Sequence, residues 1–229
     1  MLKDCLDGLI VDKTKFKDKS LIIKVLANNG ELISGLFYEG SSKLPIQFLN
    51  FYQITATKSG KDLLLFKDVQ LSSNRTYYEF SPSVSDQYYV VAELSRILFR
   101  EEDPGKDIFS FLDVELRYFT GEFNPDFHLL FLSKLIVIYG YMPQAPYEGE
   151  IFDFREGYFR NDPPGHPDYC DAHLIASVFD FVNGNTTKIS LVNAKDRYVV
   201  FTQLLRFLEL QKGIKISLKS IEILREIRD

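Results

Sequence analysis

Three features of the sequence predict an α+β chain with a small closed barrel in front and a helical bundle behind. The first is a set of five short, β-branched-rich apolar runs within residues 8–71, separated by turn residues. The second is a change of hydrophobic period beyond Pro82, from strand alternation to helical spacing. The third is composition. Hydrophobic residues make up 45% of the 229, enough for a sizeable packed core, and 20 Phe with 13 Tyr place most rings inside it. Five strands in this length need closure to remove exposed edges, and the five-stranded oligonucleotide-binding barrel, the OB-fold, has that size and count.

The strands come in order. Gly8–Val11 is the first apolar run. Four alternating lysines follow, Lys13, Lys15, Lys17 and Lys19, and in an extended segment period two puts them on one face. Ser20–Leu26 is the second strand. Asn28-Asn29-Gly30 is a hairpin signal, because Asn and Gly tolerate positive φ. Glu31–Phe37 is the third strand, Gln47–Thr57 the fourth and Leu63–Leu71 the fifth. This part is assigned to residues 1–80 as an OB-fold barrel.

Residues 81–229 are assigned to an α-helical bundle domain with a small β-hairpin at about 151–160. A helix is predicted over 86–99 with Ser85 as N-cap, a second over 107–120 and a third over 125–139. The third is apolar on nearly all faces, as a buried central helix is, and stops at Gly140. Ile151–Phe154 and Tyr158–Arg160 flank Arg155-Glu156-Gly157 as a hairpin. Further helices are predicted over 171–181, over 191–211 with Ser190 as cap, and over 217–227.

Charge is uneven. The net charge is −5, yet residues 1–80 hold 11 lysines and arginines against 9 acids, whereas the remainder holds 16 against 23. A mildly basic first third before an acidic remainder points to a polyanion-binding face on the barrel. Cys5 and Cys170 give no disulfide framework, the first residues lack a secretory apolar core, and the longest apolar run, Leu129 to Tyr141, falls short of the roughly 20 residues needed to span a bilayer. A cytoplasmic location is the expectation.

No nucleophile elbow, phosphate-binding loop, dinucleotide fingerprint or zincin motif occurs, so no catalytic residue is assigned and no enzyme activity is expected. The acids Glu101, Glu102, Asp103 and Asp107 read as a solvated helix end. His166, Cys170 and His173 lie within eight residues, but structural zinc needs four ligands and thiolates usually come as C-x2-C pairs. A loop histidine, a buried cysteine and a helix-surface histidine are the preferred reading. No metal and no cofactor is assigned. The positive candidates are for nucleic acid: the lysines Lys13, Lys15, Lys17, Lys19, Lys24 and Lys43, with Lys58, Lys61, Lys67 and Arg75 in reserve. Candidate stacking rings are Phe16, Phe37, Tyr38, Phe51 and Tyr52, with Phe16 foremost because it lies among lysines. The competing reading makes the rings core and the lysines a device that keeps an edge soluble.

The ordered set of motifs resembles the bacterial recombination mediator family RecO, in its zinc-free branch. Gly8 to Val11, Lys13-Thr14, Phe16, Asp18, Ser20 to Val25 and Gly30 carry the resemblance at the start. Phe123, the run ending Tyr139-Gly140-Tyr141, the Phe152–Phe159 hairpin and His166-Pro167 carry it in the middle, and Lys219 to Ile227 (KSIEILREI) at the end. The resemblance implies an N-terminal OB-fold and a C-terminal helical domain. It implies a role in DNA repair and recombination: binding single- and double-stranded DNA, annealing strands, and assisting RecA loading with RecR. The implied partners are DNA, RecR and the acidic C-terminal tail of single-strand-binding protein, with no membrane. For that tail, Lys195, Arg197 and Arg206 on the long helix are the proposed basic residues. Two departures stand out. The basic run that many relatives carry after the third strand is thinned here to Lys43 within Tyr38–Leu44, and the C-x2-C pairs of some relatives are reduced to Cys170. The alternative is a protein-interaction scaffold of the repair machinery whose barrel binds DNA weakly or not at all.

Overall fold

The computed structural model describes residues 4–17, 19–38, 46–59, 63–72, 82–100, 104–117, 123–186, 189 and 193–221. The chain forms two compact units. The first comprises residues 1–123 together with 220–229, and the second residues 124–219. The change from strands to helices near residue 80 therefore does not coincide with the change of unit, because the first two helices belong with the barrel.

In the first unit, β1 (Asp4–Lys17), β2 (Ser20–Ala27), β3 (Leu32–Tyr38), β4 (Phe51–Ser59) and β5 (Leu63–Leu71) close into a barrel of order β1-β2-β3-β5-β4. All pairs are antiparallel except β3 with β5, which is parallel. That is the strand order of an OB-fold, as expected. Closure leaves a core of Ile10, Leu21, Ile23, Val25, Phe37, Tyr52, Ile54 and Phe66, all buried. The Phe66 ring lies over Gly35, where an added Cβ would sit 2.5 Å from it, so the close approach requires glycine.

β1 is much longer than its apolar run. Residues 4–9 pair with β4, residues 8–17 pair with β2, and the lysine-bearing segment is strand rather than connector. Apolar content under-reads it because partner strands on both sides supply the ladder. The Asn28-Asn29-Gly30 hairpin forms as expected: Gly30 has φ of 91° and donates its N–H to the Ala27 carbonyl, and Glu31 N–H bonds Asn29 Oδ1. Gly105 N–H in turn donates to the Gly30 carbonyl, which ties the hairpin to the start of α2.

α1 (Pro82–Leu98) begins four residues before the predicted start, with a proline at its first position, where its missing N–H costs nothing. Ser85 is thus inside the helix and not its cap. α2 (Lys106–Arg117) buries Ile108, Phe109, Leu112 and Leu116, and the Phe109 ring meets Phe51 edge-on at 5.8 Å. Ser220 closes the unit by donating its N–H and hydroxyl to Glu93 of α1 at 2.9 and 2.7 Å.

In the second unit α3 (Phe127–Ile138) packs against both α4 (Ala172–Val182) and α5 (Ala194–Lys212), and is the buried central helix that its all-round apolarity implied. Gly140, just past its end, has φ of 79°. Asp171 caps α4 by accepting from His173 N–H, and Asn193 caps α5 by accepting from Asp196 N–H. Ser190, the predicted cap, lies outside the described residues, as does most of the predicted closing helix beyond Ile221. The predicted hairpin, β6 (Ile151–Asp153) with β7 (Tyr158–Arg160), gains a third strand on its other edge, β8 (Tyr169–Asp171). Three residues beside a proline-rich loop carry too little pattern to be read as a strand.

Candidate nucleic-acid interface

The predicted nucleic-acid residues cluster on β1, β2 and β3, and the ladder decides which way each points. Directly opposed residues in an antiparallel pair share a face. Lys13 opposes Ile23 and Lys15 opposes Leu21, and both partners point into the barrel core. The register then shifts between Lys15 and Lys17, so Lys17 opposes Ser20, which points to the other face. The lysines therefore do not lie on one face. A bulge splits them between the barrel rim and its outer surface, because one extra residue reverses side-chain alternation.

Their surroundings separate them further. Lys13 is half-buried. Its Nζ donates to the Ile46 carbonyl at 2.7 Å and lies 5.1 Å from the centre of the Phe48 ring, holding the 46–50 segment across the barrel. In that segment Leu49 is buried with φ of 49°, its N–H bonded to the Ile10 carbonyl. Lys24 opposes Asp12 and donates to the Arg100 carbonyl beyond α1, and Asp12 takes an ion pair from Arg96 of α1 at 2.9 Å. Lys15, Lys17 and Lys19 are exposed. Lys43 lies outside the described residues, as do Lys61 and Arg75.

The rings sort as cleanly. Phe37, Phe51 and Tyr52 are 1%, 4% and 6% exposed and serve the core, which removes them as stacking rings; Tyr52 also accepts Gln47 N–H on its hydroxyl. Phe16 and Tyr38 are 53% and 50% exposed. The alternation of β3 puts Phe37 inside and Tyr38 outside, a distinction that two adjacent aromatics in a sequence do not make. The outer face of β1-β2-β3 is thus covered by α1 contacts around Asp12 and Lys24. It is open farther along, where Thr14, Lys17, Ile22 and Tyr38 are exposed.

The proposed partner-binding residues lie on α5. Arg197 is paired to Asp126 at 2.6 Å. Arg206 is paired to Asp168 at 2.7 Å and to Glu209 at 3.3 Å. Lys195 is exposed. Sequence reading missed Asp168 and Asp153. Asp168 receives Arg206 and also Arg155 of the hairpin turn, and these hydrogen bonds, Arg206's the larger, hold its carboxyl below the usual carboxylate range. Asp153, fully buried, accepts the N–H groups of Arg155 and Glu156 and lies 3.5 Å from both Arg160 and His166. Spacing alone does not bring Arg155, Asp168 and Arg206 together.

His166 thus faces Asp153, and His173 occupies the exposed first turn of α4. Cys170 opposes Phe152 in the small sheet, and burial, with Asp171 beside it, pushes its thiol up to about 12. That environment disfavours the thiolate a metal would need. Among the described residues no group of three histidines, cysteines or acids is placed to hold a metal ion, and no helix is long and apolar enough to cross a membrane.

Barrel order and appended helices define the class: an OB-fold barrel with a helical part, bearing a cationic, aromatic end on β1-β2-β3. No family model matches the chain. Among curated proteins it is similar to the DNA repair protein RecO of Porphyromonas gingivalis, 28% identical in one strain over 174 residues, covering 69% of this chain and 71% of that one. It is also similar to the DNA repair protein RecO of Christiangramia forsetii, 22% identical over 234 residues, covering 96% and 97%. The chain is RecO-like along most of its length, as its motifs imply.

Proposed function

We propose that this chain is a non-enzymatic, cytoplasmic DNA-repair and recombination mediator whose barrel binds DNA. The observation that carries the reading is the exposure of Lys15, Lys17 and Lys19 at one end of an OB-order barrel. Its similarity to DNA repair proteins RecO supports the cellular role. Contacts of this type neutralise phosphates without reading sequence. A surface that neutralises two strands at once favours their annealing, and the acidic remainder of the chain suits docking to RecR better than to DNA, while the acidic tail of single-strand-binding protein would need a local basic residue such as the exposed Lys195. Assistance to RecA loading follows from those two properties together.

Three lysines on a single strand give a slope of log affinity against log salt of about −2. Fluorescence anisotropy of a labelled oligonucleotide across a salt series tests this. A steep fall supports the reading. No binding at low salt removes it.

A second reading is favoured by the fact that Lys13 and Lys24 are engaged in internal contacts. It makes the chain a protein-interaction scaffold. Co-purification with RecR or single-strand-binding protein in the absence of any DNA shift would select it.

A further inference from the structure

We propose that the outer face of the small sheet β7-β6-β8 joins two copies of this chain about a twofold axis. The inference is independent of the DNA-binding reading above.

The sheet has one covered face and one open face. Phe152, Phe159 and Cys170 form a row that points inward, where the Phe152 ring meets Phe179 of α4 and Phe207 of α5 at 5.7 and 5.1 Å. Side chains alternate along a strand, so the residues on either side of that row share the opposite face. They make two rows across the three strands: Tyr158, Asp153 and Tyr169, then Arg160, Ile151 and Asp171. Tyr158 and Tyr169 are 40% and 39% exposed, Asp171 is exposed, and Ile151 is half-buried. Asp153 is closed off by Arg160, by His166 and by the N–H groups of Arg155 and Glu156, so the face carries no open anion at its centre. An exposed tyrosine on each edge strand, with an arginine beside one of them, is a composition that protein interfaces favour.

Charge identifies the occupant. The charges that reach solvent on the sheet and its hairpin turn balance, Arg155 and Arg160 against Glu156 and Asp171. A strongly acidic or strongly basic partner meets repulsion on half of this surface, whereas the face complements itself. Arg160 and Asp171 stand at opposite ends of one row, with Ile151 between them. A twofold axis parallel to the strands and above β6 sets β7 of each copy over β8 of the other. Arg160 then faces the partner's Asp171, and Tyr158 faces the partner's Tyr169. Ile151 lies on the axis against its own counterpart. Facing sheets pack about 10 Å apart, a gap that tyrosine and arginine side chains fill. Six outward residues per copy are fewer than the roughly 20 a side of a standard interface, so the association is reversible and concentration-dependent.

The test is sedimentation velocity of the full chain over a concentration series. The mass should rise from 26.5 kDa toward twice that value, and added salt should oppose the rise. Tyr158→Ser and Tyr169→Ser should each raise the dissociation constant about tenfold or more. Asp171→Asn should raise it about 2- to 5-fold and leave the thermal midpoint as in the wild type, because asparagine still caps α4. The geometry has its own readout. In a Cys5→Ser chain, which lacks the exposed thiol, Ile151→Cys should be joined to its own counterpart by a short bismaleimide, giving one product of twice the mass. Should a tyrosine variant lose its fold, Asp171→Asn and the cross-link decide. A chain that stays monomeric throughout the series overturns the proposal. Association that all three variants retain also overturns it, because the contact then lies on another surface. Association without the Ile151→Cys cross-link overturns the twofold arrangement and the proposal with it.

Discussion

Five lysines on the first two strands and the turn between them look alike in sequence, and their neighbours give them different work. Lys13 reaches Ile46 and Phe48, so Lys13→Met should lower stability by about 1 kcal/mol, seen as an earlier thermal midpoint, while the salt dependence of DNA binding is unchanged. Lys17 stands on the open face, so Lys17→Gln should leave the midpoint alone and reduce the salt slope by somewhat less than about 1. If Lys13→Met flattens the slope instead, the ladder has been assigned the wrong side. The two cysteines differ in the same way. Cys5 is exposed, whereas burial and Asp171 raise the Cys170 thiol to about 12. An alkylating reagent at neutral pH should modify one thiol quickly and the second only on unfolding, with mass spectrometry placing the fast label on Cys5. Cys170, read from the sequence as a buried cysteine, is half-buried. That Lys13 is structural was not legible in the sequence, because the carbonyl it serves is 33 residues away.

At the scale of elements, two ties hold strands to helices. Gly30 sits at φ of 91° with Gly105 and Lys106 against it, where an added Cβ would lie 2.3 Å from backbone atoms. Gly30→Ala should therefore cost about 1–3 kcal/mol, read as a shift of the denaturant midpoint. The glycine itself was readable as a hairpin residue; the helix start lying against it was not. In the second unit Asp168 joins Arg155 of the hairpin turn to Arg206 of α5, and Gln211 donates to the Phe154 and Arg155 carbonyls from the same helix. Because the folded-state pKa of Asp168 lies below its ordinary value of 3.8, its contribution is present above that pH and is lost as the pH falls through the lower, folded value. Asp168→Asn should destabilise the chain at pH 7, and the gap from the wild type should close in strong acid. A gap that persists unchanged would show that the carboxylate's charge is not what links these elements. Arg206 is committed to this junction, so of the three basic residues proposed for an acidic tail, Lys195 is the one left exposed and without an ion pair among the described residues.

For the whole molecule, a chain of net charge −5 binds a polyanion only where local charge departs from the average, so the proposed DNA binding should be confined to the barrel and weaken with salt. The sequence by itself determined the classes of element, the five-strand count, the helical remainder and the resemblance to RecO. Periodicity and turn chemistry are local properties, and short-range steric rules read them directly. Tertiary structure decided what periodicity cannot express. Pairing extended β1 through the lysines, and the third strand of the small sheet needed β6 as a template. A bulge at Lys15/Lys17 put Lys17 on the opposite face from Lys13 and Lys15, and the pleat put Phe37 in the core and Tyr38 in water. A one-residue register shift reverses every side chain beyond it, yet leaves no mark in the composition of a strand.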